Sequence, residues 1–228
     1  MDVSYRTWFL TLLLFPGSLP GQIPLDKMSL PNRLLAQDIL RSPDFTFQTN
    51  TPPAQVRLST MDKLFDHPRL AAAMWRECQF VPKFYAFTLP AEGMIIDDAK
   101  GLRGSLTLAH REPGLRVYLI DGRVEKWRMG NPFPVGARMV VTYKYWEGPK
   151  GFSSHLQAWT TLDSALLGAV ARPIRAYIQR RQEEFIAYIL GNMAQGGEFA
   201  EYGTAEFLGP IRREGDPIAA RQFLEIFK

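Results

Sequence analysis

Few residues of this chain have the types and spacing that catalysis needs. Asp97 and Asp98 are adjacent, and adjacent side chains of a strand point to opposite faces, so we do not expect them to act as an acid/base pair. Neither His110 nor His155 belongs to a His-x-x-x-His or Cys-x-x-Cys pattern, so we expect neither to ligate a metal. The chain also lacks a Gly-x-Ser-x-Gly motif, a phosphate loop and a Gly-x-Gly-x-x-Gly motif. We therefore predict no catalytic residue, no metal site and no cofactor.

The single cysteine, Cys78, excludes an intramolecular disulfide and a multi-cysteine metal site. It stands at the end of a predicted helix, where a small buried hydrophobe is the usual role of a free cysteine. A catalytic thiol would need a nearby base, and the sequence shows none.

Aromatic residues are concentrated in the region that the pattern predicts to be strands. They either fill a core or line a cavity, in which tyrosine hydroxyls would orient an otherwise apolar ligand. These residues are Phe84, Tyr85, Phe87, Tyr118, Trp127, Tyr143, Tyr145, Trp146 and Trp159.

The elements that must position these side chains are two strands followed by the longest helix. Residues 136–147 and 152–162 alternate apolar with polar side chains, and the Gly- and Pro-containing segment 147–151 between them has turn chemistry. Asp163 and Ser164 are suited to an N-cap, and apolar residues recur behind them at helical spacing as far as Ile189. We expect Pro173 to kink or split this helix and residues 191–197 to end it.

Short strands without intervening helices precede this unit, which predicts an α+β protein with an antiparallel sheet of six or seven strands. Within that sheet, Asp121-Gly122 is the strongest hairpin signal.

The two ends of the chain differ from this central domain. Residues 1–21 have the pattern of a signal peptide, with an apolar segment at 7–15 that is too short to span a bilayer, which predicts an exported, periplasmic or secreted protein. A buried N-terminal helix is the alternative. Residues 22–58 form a Pro-rich arm, mostly irregular, with one short helix at 31–40. In the helical pair that follows, Ser59 and Asp62 fit a capping arrangement. Residues 196–228 form an extension with a terminal helix at 216–227, in which Asp216 is suited to the cap and Pro217 to the first helical position.

The charge of the chain is weakly basic, with a formal net charge of +4 over 228 residues. A nucleic-acid site would need clustered basic residues with interleaved aromatics, whereas the arginines at 172, 175, 180 and 181 are scattered around a helix. We predict no nucleic-acid partner.

The succession of antiparallel strands, the run Gly-x-Arg-Met-Val-Val-x-Tyr-x-Tyr at 136–145 and the last strand entering Leu162-Asp-Ser-Ala-Leu-Leu-Gly resemble the START-like, polyketide-cyclase and lipid-transport superfamily. The resemblance covers roughly residues 58–194, and we place the domain at 59–195. It implies a helix-grip fold, in which a curved antiparallel sheet grips a long C-terminal helix. It also implies a cavity for a hydrophobic ligand between the two, without a shared catalytic residue. The export signal, the arm and the extension depart from the usual form of the superfamily.

We therefore expect an exported, non-catalytic protein that binds a lipid, sterol-like or aromatic ligand. Its expected ligand-binding residues lie on the inward faces of the predicted elements: Leu106, Leu108, Tyr143, Tyr145, Leu156, Ala158, Val170 and Tyr177. One alternative is a cyclase-like or isomerase-like enzyme that uses a titratable group in the same cavity, such as His155 or Arg103. The other is an interaction module with a solid core, whose arm or terminal helix binds a membrane surface or a protein.

Overall fold

The computed structural model describes residues 23–89, 93–99, 101–124, 135–163, 175–213 and 215–227. A short 3-10 helix at Leu25–Lys27 precedes the regular elements. In chain order these are α1 (Leu30–Arg41), β1 (Phe45–Ala54), α2 (Leu58–Asp66), α3 (Pro68–Glu77), β2 (Tyr85–Leu89), β3 (Gly93–Asp97), β4 (Leu102–Glu112), β5 (Leu115–Val124), β6 (Val135–Gly148), β7 (Gly151–Leu162), α4 (Arg175–Tyr202), α5 (Thr204–Arg213) and α6 (Pro217–Phe227).

The strands within these ranges form one curved, seven-stranded antiparallel sheet in the order β1-β7-β6-β5-β4-β3-β2. Each strand from β2 to β6 pairs with the next strand in sequence, and β1 pairs with β7. With the long helix α4 behind the sheet, the predicted α+β class and the predicted antiparallel arrangement are confirmed.

The sheet has a packed core on each of its two faces. The inner face, defined here as the face covered by helices α2 to α6, includes Val141, Tyr143, Leu156 and Ala158. The outer face packs against α1 in a smaller core of Met28, Ala36, Ile39, Ala109, Val117, Leu119 and Val140. A two-sided core accounts for strands such as β6, in which successive residues are apolar although they point to opposite faces of the sheet.

The long helix runs further than predicted, since α4 continues through residues 191–197 to Tyr202. Close packing accounts for one of the glycines in this segment, Gly197. A Cβ on Gly197 would lie 3.1 Å from Val56 Cγ2 and 3.2 Å from the Met61 sulfur, so the missing side chain lets α4 approach α2 closely. Ser164 and Pro173, which carried the expected cap and break, lie outside the described residues.

The predicted hairpin at Asp121-Gly122 is wrong. β5 runs straight through this dipeptide and pairs with β4 and β6 on its two sides. The turn lies instead before Leu115, where Gly114 has a φ of +74°. Gly122 faces Gly104, and a Cβ on Gly104 would lie 3.0 Å from the Asp121 carbonyl oxygen, so the glycine allows close strand approach within the sheet.

The segment before α2 is more regular than expected. The predicted helix exists as α1, but Phe45–Ala54 forms strand β1. Phe45 and Phe47 alternate into the inner face, and Pro52 and Pro53 are tolerated because β1 pairs on one side only and its register shifts between Thr51 and Ala54.

The capping arrangement expected of Ser59 and Asp62 is absent. α2 begins at Leu58, after Arg57, without a side-chain cap. The cap expected of Asp216 is present, because its Oδ1 accepts hydrogen bonds from the backbone N–H groups of Ile218 and Ala219. Among the described helices, none is both long enough and apolar enough to cross a membrane.

Candidate functional site

The inner face of the sheet presents two kinds of surface. Where β1, β6 and β7 meet α4, its side chains are buried, as for Phe47, Tyr143 and Ala158. Toward β3, the apolar side chains remain half-buried. One row crosses the strands at matching register and consists of Met139, Ile120, Leu106 and Met94.

This row, which we call the apolar row, is followed along β5 by polar side chains on the same face. Tyr118 stands two residues before Ile120, opposite Leu108, and Arg116 stands two residues before Tyr118. The inner face of β5 therefore changes from apolar at Ile120 to charged at Arg116, over roughly 13 Å of strand.

Arg116 is the largest charged side chain in the described core, with 2% exposure. Its Nε donates to the Tyr145 hydroxyl at 3.1 Å, and its Nη1 donates to Asp66 Oδ1 at 2.6 Å. Its Nη2 donates to the Asp62 carbonyl oxygen at 3.2 Å and to Asp62 Oδ1 at 3.3 Å. The Phe65 ring lies 5.4 Å from the guanidinium carbon. Every nitrogen of the buried cation thus has a partner.

Helix geometry brings these partners together. Asp62, Phe65 and Asp66 are spaced three and four residues apart, which places them on one face of α2, toward the sheet. Tyr145, on β6, adds a hydrogen bond from its own hydroxyl to Asp62. The resulting group of Arg116, Tyr145, Asp62 and Asp66, here called the arginine cluster, fixes α2 against the inner face.

The arginine cluster is electrically compensated. Asp66 also accepts from Arg111 Nη1 at 2.9 Å, so two carboxylates balance two guanidinium groups. Burial alone would lower the pKa of Arg116, but the hydrogen bonds to Asp66 and Tyr145 outweigh it and the net pKa is raised. Burial likewise tends to raise the pKa of Asp66, whereas the two arginines lower it overall. Arg116 and Asp66 therefore stay ionised at neutral pH, and each charge is compensated by its partner.

Burial keeps the tyrosines of the inner face neutral, because it raises their pKa values. Burial raises the pKa of Tyr118 to about 12, and burial together with the hydrogen bond to Asp62 raises that of Tyr145 to about 12. Burial also raises the pKa of Tyr143, whose hydroxyl contacts Ser154. A general acid or base works best with a pKa near the working pH, so these groups are suited to hydrogen bonding and not to proton transfer.

A second polar contact joins β1 to β7. The Thr51 and Ser154 hydroxyl oxygens are 2.5 Å apart and both are buried. Because Ser154 also contacts Tyr143, three hydroxyls are linked across three strands. These groups satisfy each other, which removes the cost of burying them.

The predicted ligand-binding residues divide into three groups. Tyr143, Tyr145, Leu156 and Ala158 lie together in the inner core. Leu106 and Leu108 lie on the same face, half-buried, on β4. Tyr177 is 60% exposed on α4 and lies under Arg181, and Val170 lies outside the described residues.

The two titratable residues considered for an enzyme do not face this site. His155 pairs with Asn50 and Lys144 in register, which places it on the outer face, where its Nδ1 lies 2.8 Å from Asn50 Oδ1. Burial, followed by the charge of Lys144, lowers its pKa. Arg103 is exposed on the outer face of β4, opposite Asp97. Cys78 is half-buried, and burial, with the charge of Glu77, raises the pKa of its thiol to about 11, so little reactive thiolate forms at neutral pH.

The sequence reasoning missed Arg116, Asp62 and Asp66. A signal existed, because Arg116 occupies the same strand face as Tyr118 and Ile120, where a charge needs a buried partner. The partners lie 50 and 54 positions away in the sequence, and Asp62 was interpreted as a capping residue.

Two openings are formed by described residues away from the apolar row. A cavity of about 10 Å³ lies between α3 and α4, among Leu64, Met74, Trp75 and Met193. This volume suits a single water molecule. A shallow groove of about 390 Å³ lies on the surface beside Arg57, Glu147, Glu201 and Tyr202, and its lining is mixed, polar and apolar.

Fold and site together define an α+β protein whose curved sheet grips a long helix. No protein-family model and no curated protein matches the sequence. Among solved structures, the chain is similar to DynU16 from the dynemicin biosynthetic locus, with a TM-score of 0.43 and 12% identity over 71% of this chain and 49% of that one. This chain therefore spans about half the length of DynU16.

Two further solved structures are similar. A protein from Rhizobium leguminosarum gives a TM-score of 0.42 and 14% identity, over 67% of this chain and 93% of its own. A protein from Geobacillus kaustophilus gives a TM-score of 0.34 and 13% identity, over 74% and 92%. At these TM-scores the likenesses carry no conclusion about function, and the fold class rests on the topology of this chain.

Proposed function

We propose that this protein binds a neutral, predominantly apolar small molecule against the inner face of its sheet, without transforming it chemically. The observation that carries the proposal is the apolar row: Met94, Leu106, Ile120 and Met139 share one face at matching register, yet none of them is fully buried. Ile120 and Met139 pack against the edge of the inner core, and all four side chains stay more exposed than Val141 and Ala158 within it.

The energetic argument follows from the surface that such a ligand would cover. Removing roughly 300 Å² of apolar surface from water contributes about 7.5 kcal/mol. The free energy of micromolar binding is about 8 kcal/mol, so apolar contact supplies most of it before the costs of association are subtracted. A lipid chain, a sterol-like body or an aromatic ring system fits this requirement.

The polar end of the face favours a neutral ligand. The arginine cluster is internally compensated, so an anionic headgroup would have to displace Asp62 or Asp66 from Arg116. Tyr118, with its raised pKa, stays a neutral phenol next to Leu108 and can exchange hydrogen bonds with a hydroxyl or carbonyl group. We therefore infer a ligand that carries at most such a group.

The test is native mass spectrometry of the purified protein with organic extraction of any bound molecule, followed by titration with the neutral dye Nile red. We expect a bound apolar mass or saturable dye binding. Leu106→Trp should fill the face and reduce dye affinity at least tenfold. Ser105→Trp, one residue earlier on the outer face of β4, is the matched control and should bind normally.

Two results would contradict the proposal. One is a protein that carries no apolar molecule and binds no dye. The other is equal loss of binding in Leu106→Trp and Ser105→Trp, which would show that the dye does not distinguish the two faces.

Export is part of the proposal and rests on the apolar segment at residues 7–15. Expression with residues 1–21 intact should yield a mature protein outside the cytoplasm that has lost this segment, as read by intact mass. Retention of the full mass in the cytoplasm would remove export from the proposal and leave ligand binding untouched.

A further inference from the structure

The apolar row continues beyond Met139 to a buried threonine. Thr160 on β7 stands opposite Met139 in the register of the sheet, and Phe45 on β1 stands opposite Thr160 on its other side. Because opposite residues of an antiparallel pair point to the same face, the Thr160 side chain lies on the inner face. Thr160 is 1% exposed, and no described residue supplies a hydrogen-bond partner for its hydroxyl. The row therefore leads to a polar group whose hydrogen bonds are unmade.

A second such group lies on α4. The Gln179 side chain donates to the Thr46 carbonyl oxygen, which fixes the first turns of α4 beside β1. Gln182 follows one turn later and precedes Ala200, a fully buried residue of the inner core, by five helical turns. Gln182 therefore lies on the side of α4 that packs against the inner face. Its Oε1 is buried, and the part of the chain that the structure describes provides no donor for it.

The two groups lie at the same end of the inner face. Thr46 pairs with Trp159 in register, so the carbonyl that anchors α4 lies one residue from Thr160 along the strands. Gln182, one turn or about 5.4 Å further along α4 than the anchor, faces the same part of the sheet. A buried polar group without a partner is destabilising. Two of them on facing elements, beside an apolar surface that stays half-buried, indicate that a third polar group binds between them.

Building on the ligand-binding function proposed above, we propose that the ligand of the inner face is an alcohol, whose hydroxyl group binds between Thr160 and Gln182. Gln182 Oε1 can only accept a hydrogen bond, so the ligand has to donate one. The Thr160 hydroxyl can then donate to the same ligand oxygen. A hydroxyl group meets both requirements with one atom, whereas a ketone, an ester or an ether accepts but cannot donate.

Met139 lies in the path of a ligand that approaches this polar pair. It stands between Ile120 and Thr160 in the row and is half-buried, whereas Thr160 is enclosed. A methionine side chain is unbranched and flexible, so it can move aside and let the ligand hydroxyl reach Thr160. The apolar body of the ligand then covers the row as far as Met94, which is three strand spacings or about 14 Å from Met139.

The test is displacement of Nile red by two isomers, n-decanol and methyl nonyl ether. The two molecules contain the same atoms, and only the alcohol can donate a hydrogen bond. We expect the alcohol to displace the dye at a concentration at least about tenfold lower, since a site built for a hydroxyl group rejects an analogue that lacks it. Thr160→Val and Gln182→Leu should each bring the two displacing concentrations close together.

Thr161→Val is the matched control. Thr161 is the next residue of β7, on the outer face, and its hydroxyl oxygen is likewise buried without a partner among the described residues. The same substitution there should keep the wild-type preference for the alcohol. Without ligand, Thr160→Val and Thr161→Val should both unfold at or above the wild-type temperature, because each removes an unpartnered buried hydroxyl. Loss of the preference in Thr160→Val alone is then not an effect on folding.

The outcomes separate this assignment from the proposed function. Equal displacement by the two isomers would overturn the alcohol assignment and leave ligand binding standing, because the dye is still displaced. Loss of the preference in Thr161→Val to the same extent as in Thr160→Val would also overturn it. A protein that binds no dye would contradict the proposed function itself. In a crystal structure of the decanol complex, the ligand oxygen should lie about 3 Å from Thr160 Oγ1 and from Gln182 Oε1, and a ligand oxygen bound elsewhere would refute the assignment.

Discussion

The arginine cluster makes a quantitative prediction about stability. Arg116 is buried and donates to Tyr145, Asp62 and Asp66 at 2.6–3.3 Å. Replacing it by methionine removes all of these bonds and leaves the Tyr145–Asp62 bond without its cation. Breaking one side of a buried ion pair costs about 3–5 kcal/mol. The side chains of Asp62 and Asp66 are 41% and 37% exposed and can regain water, so we expect the lower end of that range.

The assay is denaturant and thermal unfolding of Arg116→Met at pH 7. A loss of about 3 kcal/mol corresponds to a fall in Tm of about 6–12 °C for a domain of this size. Arg111→Met is the matched control, because Arg111 bonds the same Asp66 carboxylate at 2.9 Å but is 55% exposed. An exposed ion pair contributes only about 0–1 kcal/mol, so this variant should unfold nearly as the wild type does.

The two arginine variants together test whether burial gives the arginine cluster its strength. If Arg116→Met and Arg111→Met lose the same free energy of unfolding, burial does not strengthen the cluster and the anchoring of α2 has another source. A loss below about 0.5 kcal/mol for Arg116→Met, the level of ordinary surface substitutions, would refute the role of the cluster outright.

Three further predictions concern ionisation and close packing. The pKa of Asp66 is held below 3.8 in the folded state, so the stability that Asp66 contributes is complete above that pH and is lost as the pH falls through the folded pKa. When the free energy of unfolding is measured against pH, Asp66→Asn should reduce the loss of stability at acid pH. The pKa values of Tyr118 and Tyr145 are raised to about 12 from 10.0, so the stability that they contribute is complete below pH 10 and is lost as the pH rises toward 12. Ultraviolet titration should show tyrosines that ionise late. An unchanged titration profile in Tyr145→Phe would contradict the raised pKa of Tyr145. Gly197→Ala should destabilise the protein by about 1–2 kcal/mol through overpacking. Gly191→Ala, where a Cβ meets nothing within 4 Å, should stabilise α4 by about 0.5–1 kcal/mol. Equal effects of the two variants in thermal unfolding would show that the close approach at Gly197 is not rigid.

Local pattern was sufficient wherever one short stretch of chain decides the outcome. The alternation of residues 136–147 and 152–162 predicted β6 and β7, and it assigned Tyr143, Tyr145, Leu156 and Ala158 to the inner face where they lie. Their part in ligand binding stays a prediction. Asp216 and Pro217 predicted the start of the closing helix, because a cap and a first-turn proline act over three or four residues.

Local pattern failed where the same residue type serves two purposes. Asp121-Gly122 has the chemistry of a turn, and the glycines at 191–197 have the chemistry of a helix end. In the folded chain Gly122 lies beside Gly104 of β4, and Gly197 lies close to the side chains of Val56 and Met61, whereas a Cβ on Gly191 would meet nothing within 4 Å. Glycine permits a turn and a close approach equally well, so the sequence alone could not choose between them.

What the sequence determined by itself was the set of elements, the antiparallel order of most strands and the apolar faces, since all of these follow from periodicity and short connections. Only the tertiary structure decided which residues meet: β1 beside β7, and Asp62 and Asp66 around Arg116. The physical reason is that burial and ion pairing depend on distances between segments far apart in the chain. Those distances exist only after the sheet has curved around the helices.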